Sequence, residues 1–165
     1  MTILETPRLT LRLIEADDAP FILTLTRDPS YIAAIRDCGL DSVEAARGFI
    51  EQRIRPSYQQ HGHGLYLVSR NTDGQPVGIC GLLYRDALQE TDIGYALLPA
   101  YWHQGYAFEA ALACLHYGRE VLGKQRIVGF TKRDNRASVA LLEKLGLRYR
   151  HQVPFGDGGE AALFD

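Results

Sequence analysis

The sequence predicts an α/β (α+β) fold, a mixed sheet with helices on both faces, with residues 1–165 forming a single domain. Three observations predict it. Apolar patterns follow the order strand, helices, three strands, helix, strand, helix, two strands, and such an order layers helices against a sheet. Within residues 92–111 the apolar period changes from two to that of a helix, so a strand runs directly into a helix. Two further strand patterns flank Asn71, Thr72, Asp73 and Gly74, where Asp-Gly signals a hairpin turn.

Each element has its own local signal. Residues 6–14 alternate, with Leu9, Leu11 and Leu13 on one face and Thr10 and Arg12 on the other, as a half-buried strand does. Asp17 and Asp18 before Pro20 open a helix that carries Phe21, Ile22 and Leu25 inward. Asp28 as cap and Pro29 as first helical residue start a short helix through Ile35. Asp41 and Glu44 fit a capping box, with Leu40 placed to staple onto Ala45. The helix that follows buries Phe49, Ile50 and Ile54 until Pro56 breaks it.

After a loop holding His61 and His63 come strands at residues 65–70 and 77–83 and the strand that enters residues 92–98. Residues 126–131 form another strand. A helix opening at residues 132–138 presents Ser138, Leu141, Leu142 and Leu145 on one face and stops at Gly146. Residues 147–153 and 161–164 close the chain as a hairpin.

The stretch 92–111 organises the rest. Ile93, Tyr95, Leu97 and Leu98 favour a strand, and Pro99 ends its pairing because it has no N–H to donate. Beyond Gly105, residues Ala107, Ala110, Ala111, Cys114, Leu115 and Leu122 share a helical face. The first N–H groups of that helix have no partner within it, and the helix dipole makes its mouth positive. Gly105 lets a ligand approach the backbone and Ala107 keeps the first turn small, which makes a pyrophosphate-binding turn. An ordinary strand–helix connection containing a glycine is the competing account. No G-x-G-x-x-G opens this helix and no G-K-[ST] occurs in the chain.

Composition narrows the classes. A formal net charge of −2 points to neither a nucleic-acid partner nor a membrane surface. No apolar run approaches the roughly 18 residues of a membrane span, and no signal-peptide pattern opens the chain, so a cytoplasmic location is expected. Cys38, Cys80 and Cys114 are odd in number and lack metal-ligand spacing, which fits reduced thiols and no metal site. His61 and His63 have no cysteine or carboxylate cluster beside them in sequence.

Residues 101–111 (YWHQGYAFEAA) resemble the acetyl-CoA-binding motif of the GNAT superfamily of N-acetyltransferases, in the branch of the ribosomal-protein N-terminal acetyltransferases. Its usual form is Arg or Gln, two residues, Gly, any residue, then Gly or Ala. Here Trp102 takes the first place, Gly105 the glycine and Ala107 the last. A second match runs over Asn135, Ser138, the sequence from Glu143 to Gly146, and Leu147, which stands where the family has Phe. The opening residues 4–13 are similar to the first strand of this branch, so the likeness covers nearly the whole chain.

The resemblance implies a mostly antiparallel central sheet and acetyl-CoA as cosubstrate. It implies pantetheine along backbone groups of Ala96, Leu97 and Leu98, and pyrophosphate on the N–H groups of Gln104, Gly105, Tyr106 and Ala107. Asn135 and Ser138 would contact the cofactor from the second helix, Asn135 otherwise being a plain N-cap. A strand N–H would polarise the thioester carbonyl. Asp92 aligns with an acidic residue common in this branch and is the candidate base; ordering the strand is its alternative role. Glu90 and Glu109 are lesser candidates. A carboxylate near pKa ~4 needs burial or a water relay to deprotonate an ammonium near ~8. Many members place a Tyr seven residues after the Asn; Leu142 stands there, which leaves Ser138 or solvent near the leaving thiol. His61 and His63 would rim the acceptor site.

Two functions remain open at this level: an acetyl-CoA-dependent N-acetyltransferase acting on a primary amine, and an acyl-CoA sensor on the same fold without turnover. Peptide N-termini, amino acids, polyamines and aminoglycosides all qualify as acceptors, and the chain could be a monomer or a homodimer.

Overall fold

A computed structural model describes residues 1–156 and 158–165. Five strands form one antiparallel sheet in the order β1 (Thr2–Glu5), β2 (Leu9–Leu13), β3 (Leu65–Arg70), β4 (Pro76–Arg85) and β5 (Glu90–Leu97). A second, three-stranded antiparallel sheet runs β6 (Gly129–Thr131), β8 (Gly159–Phe164), β7 (Tyr149–Phe155). The sheets meet at one parallel bridge, Asp92 beside Val128. There Ile93 N–H donates to Val128 O at 2.9 Å and Val128 N–H to Thr91 O at 2.9 Å. Past this point β5 and β6 separate, because β6 turns to pair with β8.

Helices cover both faces. Against one pack α5 (Tyr106–Glu120) and α6 (Arg136–Lys144), whose Ala110, Cys114, Leu115 and Leu142 meet Leu82, Ile93 and Leu97 in one buried cluster. Against the other pack α1 (Ala19–Arg27), α3 (Val43–Phe49) and α4 (Arg55–His61), burying Ile22, Leu25, Ile50 and Ile54 on Leu67 and Ile79. A short α2 (Pro29–Ala34) follows α1, with Asp28 Oδ1 capping Ser30 N–H at 2.9 Å.

Four local expectations shift. The opening strand is two strands, β1 and β2, joined by a turn at Thr6, where Pro7 cannot donate to a ladder. The cap of α3 is Ser42, which accepts Ala45 N–H, one residue beyond Asp41. Pro56 does not break the helix: the path widens into a π-turn at Ile50–Ile54, and Arg55 N–H bonds back to Ile50 O. That widening relieves the clash a proline ring makes with the preceding turn. The helix expected from residue 132 starts at Arg136, after an Asn135 cap.

Candidate active site

The separation of β5 from β6 leaves one edge of β5 without a strand partner beyond Val128, among the described residues. Backbone groups alternate sides along a strand. Ile93 faces β6, so Tyr95 and Leu97 face the open edge while Ala96, like Asp92, faces β4. Trp102 Nε1–H donates to Leu97 O at 2.9 Å, leaving Leu97 N–H and both Tyr95 groups along that edge. This corrects the expected strand contacts. Leu98 N–H donates to Val77 O at 3.0 Å and Leu98 O accepts Tyr101 N–H at 2.9 Å, so neither Leu98 group is offered to a ligand. Ala96 is paired into the β4 ladder opposite Ile79.

The edge leads into the turn. Pro99–Tyr101 form one 3-10 turn, and His103 and Gly105 follow with φ of 62° and 80°. Gly105 caps α5 without any side-chain hydrogen bond. The first N–H to bond back is that of Glu109, to Gly105 O at 3.1 Å, so those of Tyr106, Ala107 and Phe108 precede the helical ladder. Alternating left-handed and right-handed residues at a helix mouth make an anion-binding concavity. An unpaired strand edge running into an uncapped mouth suits a long ligand with an amide-bearing arm and a diphosphate.

Across the opening stands α6. Asn135 Oδ1 accepts Ser138 N–H at 3.2 Å, so the cap role is present in the geometry and fixes where Ser138 sits. Ser138 Oγ lies 2.7 Å from the Tyr95 hydroxyl, a link that spans β5 and α6. Burial pushes the Tyr95 phenol up to about 12, with Ser138 acting in the opposite direction, so it is protonated at neutral pH. Tyr95 was legible only as a strand residue; its partner is 43 positions away in sequence.

Asp92 sits at the closed end of the opening and is 2% exposed. Its Oδ2 accepts Arg85 Nε–H at 2.8 Å, while Oδ1 is buried with no partner. Burial raises its pKa above the ordinary carboxylate range, and Arg85 only partly offsets this. Its side chain lies on the α1–α4 face, where Arg85 also stacks on Phe155, 5.1 Å from the ring centroid. Tyr95 lies three positions beyond Asp92, about 10 Å along the strand.

The lesser candidates are structural ties. Glu90 accepts Arg126 Nε–H at 3.1 Å. Glu109 accepts bonds from Thr6 Oγ1 and from Arg8. Burial works against the Glu109 charge, yet these donors hold its carboxyl below the ordinary range. His63 is no rim residue: it is 1% exposed with Nδ1 2.8 Å from Leu82 O, and His61 ends α4 with its ring tilted against Tyr84, centroids 5.0 Å apart. Cys80 and Cys114 are buried free thiols. Among the described residues no group of three or more His, Cys, Asp or Glu is placed to hold a metal, and no helix is long and apolar enough to cross a membrane.

A family model described as an acetyltransferase (GNAT) domain matches residues 8–148. The Bacillus subtilis protein named "Uncharacterized N-acetyltransferase YoaA" is 30% identical over 147 residues, covering 88% of this chain and 82% of its own. An acetyltransferase from Agrobacterium tumefaciens superposes with a TM-score of 0.84 at 25% identity, covering 99% of this chain and 92% of that one. The fold is shared with RimL, a ribosomal L7/L12 α-N-protein acetyltransferase solved with coenzyme A, at TM-score 0.83, 17% identity and 99% and 96% coverage. The model's match contains the open strand edge, the turn and the facing helix together, and the chain belongs to the GNAT acetyltransferases, enzymes that take their acetyl group from acetyl-CoA.

Proposed function

We propose that this protein transfers the acetyl group of acetyl-CoA to a primary amine by direct attack in a ternary complex. The observation that carries this is the open edge of β5 leading without interruption into the uncapped mouth of α5. Tyr95 and Leu97 offer the backbone groups for the pantetheine arm, and the turn at Gln104, Gly105, Tyr106 and Ala107 offers its N–H groups to the diphosphate. Acetyl-CoA supplies an activated acyl carbon and a good leaving group. What the chain adds is orientation of both reactants and polarity at the reacting carbonyl, where a strand N–H on the open edge acts as the oxyanion donor.

In this reading Ser138 donates its hydroxyl hydrogen toward the leaving sulfur and accepts from the Tyr95 phenol, which is supported by the 2.7 Å separation of the two hydroxyl oxygens. A serine hydroxyl is too weak an acid to protonate a thiolate fully, so its contribution is a hydrogen bond; the neutral amine attacks, its nitrogen becomes cationic in the tetrahedral adduct, and that N–H is the source of the proton the leaving thiolate takes. Asp92 is too far up the strand to touch an amine at Tyr95 and acts through water; its raised pKa makes it a better acceptor than an exposed carboxylate. The acceptor enters from the α2 side, where a cleft of about 400 Å3 is lined by Ser30, Ala34, Lys132, Asp134 and Asn135.

The test is thiol release from acetyl-CoA across a panel of peptides with free N-termini, amino acids and polyamines, with product mass to locate the acetyl group. Transfer to at least one primary amine is expected. Tight CoA binding with no transfer to any member would end the catalytic reading.

A further inference from the structure

The turn that precedes α5 is held from a place remote in sequence. Arg8, the residue just before β2, donates from Nη1 to Gln104 O at 2.8 Å. The same guanidinium donates from Nε to Glu109 Oε1 at 2.8 Å, and Arg8 N–H donates to Glu109 Oε2 at 3.0 Å. Its carbon stands 4.5 Å from the ring centroid of Tyr106, the first residue of α5. One side chain therefore touches the residue before the cap, the first helical residue and the acid in the first turn.

We propose that Arg8 is a positioning residue for diphosphate binding, which rests on the acetyl-CoA reading above. Two physical arguments support it. In a trans peptide the carbonyl and the following N–H point in opposite directions. By drawing Gln104 O to itself, Arg8 turns Gly105 N–H to the other side, away from the guanidinium. Gly105 has φ of 80°, a conformation glycine adopts without strain, and Arg8 Nη2 lies 3.2 Å from where a side chain would begin. The second argument is electrostatic. A carboxylate in the first turn of a helix competes with any anion for the positive mouth. Arg8 neutralises Glu109 and leaves the dipole to the ligand.

Nothing in the phosphate-turn motif encodes Arg8, which lies 96 positions before Gln104. Its role is visible only because β2 begins beside the turn.

The experiment compares ligands with and without the diphosphate. Binding of CoA and of pantetheine is measured by calorimetry on wild type and Arg8→Met, and kcat/KM is measured with acetyl-CoA and acetyl-pantetheine. Arg8→Met should weaken CoA at least fivefold and leave pantetheine within twofold; kcat/KM should split between the two donors in the same way. Glu109→Gln, which keeps a carbonyl for Arg8 but removes the competing charge, should bind CoA no more weakly than wild type. If Arg8→Met fails to fold, Arg8→Lys, which keeps the charge without the fork geometry, is held to the same contrast. Equal weakening of both ligands, or unchanged CoA affinity, overturns the proposal. A wild type that binds CoA but transfers no acetyl group would end the catalytic reading while leaving this binding contrast intact as the judge of Arg8.

Discussion

The two ends of β5 share one strand conformation and behave as opposites. At its start each residue is tied: Asp92 through one carboxylate oxygen to Arg85, Glu90 to Arg126, Thr91 and Ile93 to Val128. Arg126 also pairs with Asp165 near the chain end, so this corner gathers three segments. At its finish, among the described residues, the outer edge has only the Trp102 indole on Leu97 O. The ladder to β4 is continuous from Glu90 to Leu97, so the difference arises entirely on the other side, where β6 leaves. A strand becomes a binding surface by losing a neighbour, since buried backbone groups require partners and a ligand with amides can supply them.

If the tied end serves chemistry as well as structure, Asp92 is where this shows, and the largest effect is expected there. Asp92→Asn should lower kcat by about 10²- to 10⁴-fold, the usual worth of general-base assistance, with little change in CoA affinity. The deficit should shrink as pH rises toward the acceptor's own pKa, where the amine is already neutral. A pH–rate profile parallel to wild type would reduce Asp92 to a tie like Glu90. At the open end the expected effect is smaller. Gly105→Val places a branched side chain at φ of 80° and should weaken CoA at least tenfold, about 1.4 kcal/mol. Calorimetry showing unchanged affinity in a folded variant would remove the turn from the site.

The contrast between the ends also marks what was legible in the sequence. Strand, turn and helix at residues 92–111 were, because their signals are local: period, Pro99 and Gly105. So were the Asn135 cap and the layering of helices on both faces of a sheet, while the mostly antiparallel pairing was implied by the family resemblance. What escaped depends on partners. That Tyr95 faces the opening and Leu98 does not follows from which residue Val128 meets, and no local pattern states it. The Arg8–Glu109 tie joins residues 101 apart. Pro56 misled for another reason: a helix can absorb a proline by widening, and the signal for stopping is identical to the signal for a π-turn. His63 reads as a loop residue because the two glycines beside it are loop signals, but the loop is held against β4, where Leu82 N–H donates to Gly64 O and the His63 ring is buried.

His63 gives the last and smallest test, because it belongs to the tied half and should act on stability rather than rate. Leu82 O can only accept, so Nδ1 of His63 carries the hydrogen and donates it to Leu82 O. Its Nε2 is buried without a partner. Protonation would place an unpaired N–H there, and burial, reinforced by Lys124 and His61, lowers the His63 pKa below the ordinary value of about 6.5 despite the favourable Leu82 bond. Between the folded and unfolded pKa values the unfolded chain therefore holds more protons, and stability rises with pH across that window. Acidifying from pH 7.5 to 5.5 should destabilise the wild type, with a slope from this one group of at most about 1.4 kcal/mol per pH unit. His63→Gln keeps a donor for Leu82 O, cannot titrate, and should flatten that slope without changing the pH dependence of kcat. Denaturant unfolding at several pH values reads the slope directly. If wild type and variant lose stability in parallel, the acid sensitivity lies elsewhere; if the rate profile moves instead, His63 reaches the chemistry and the division between the two ends of β5 fails.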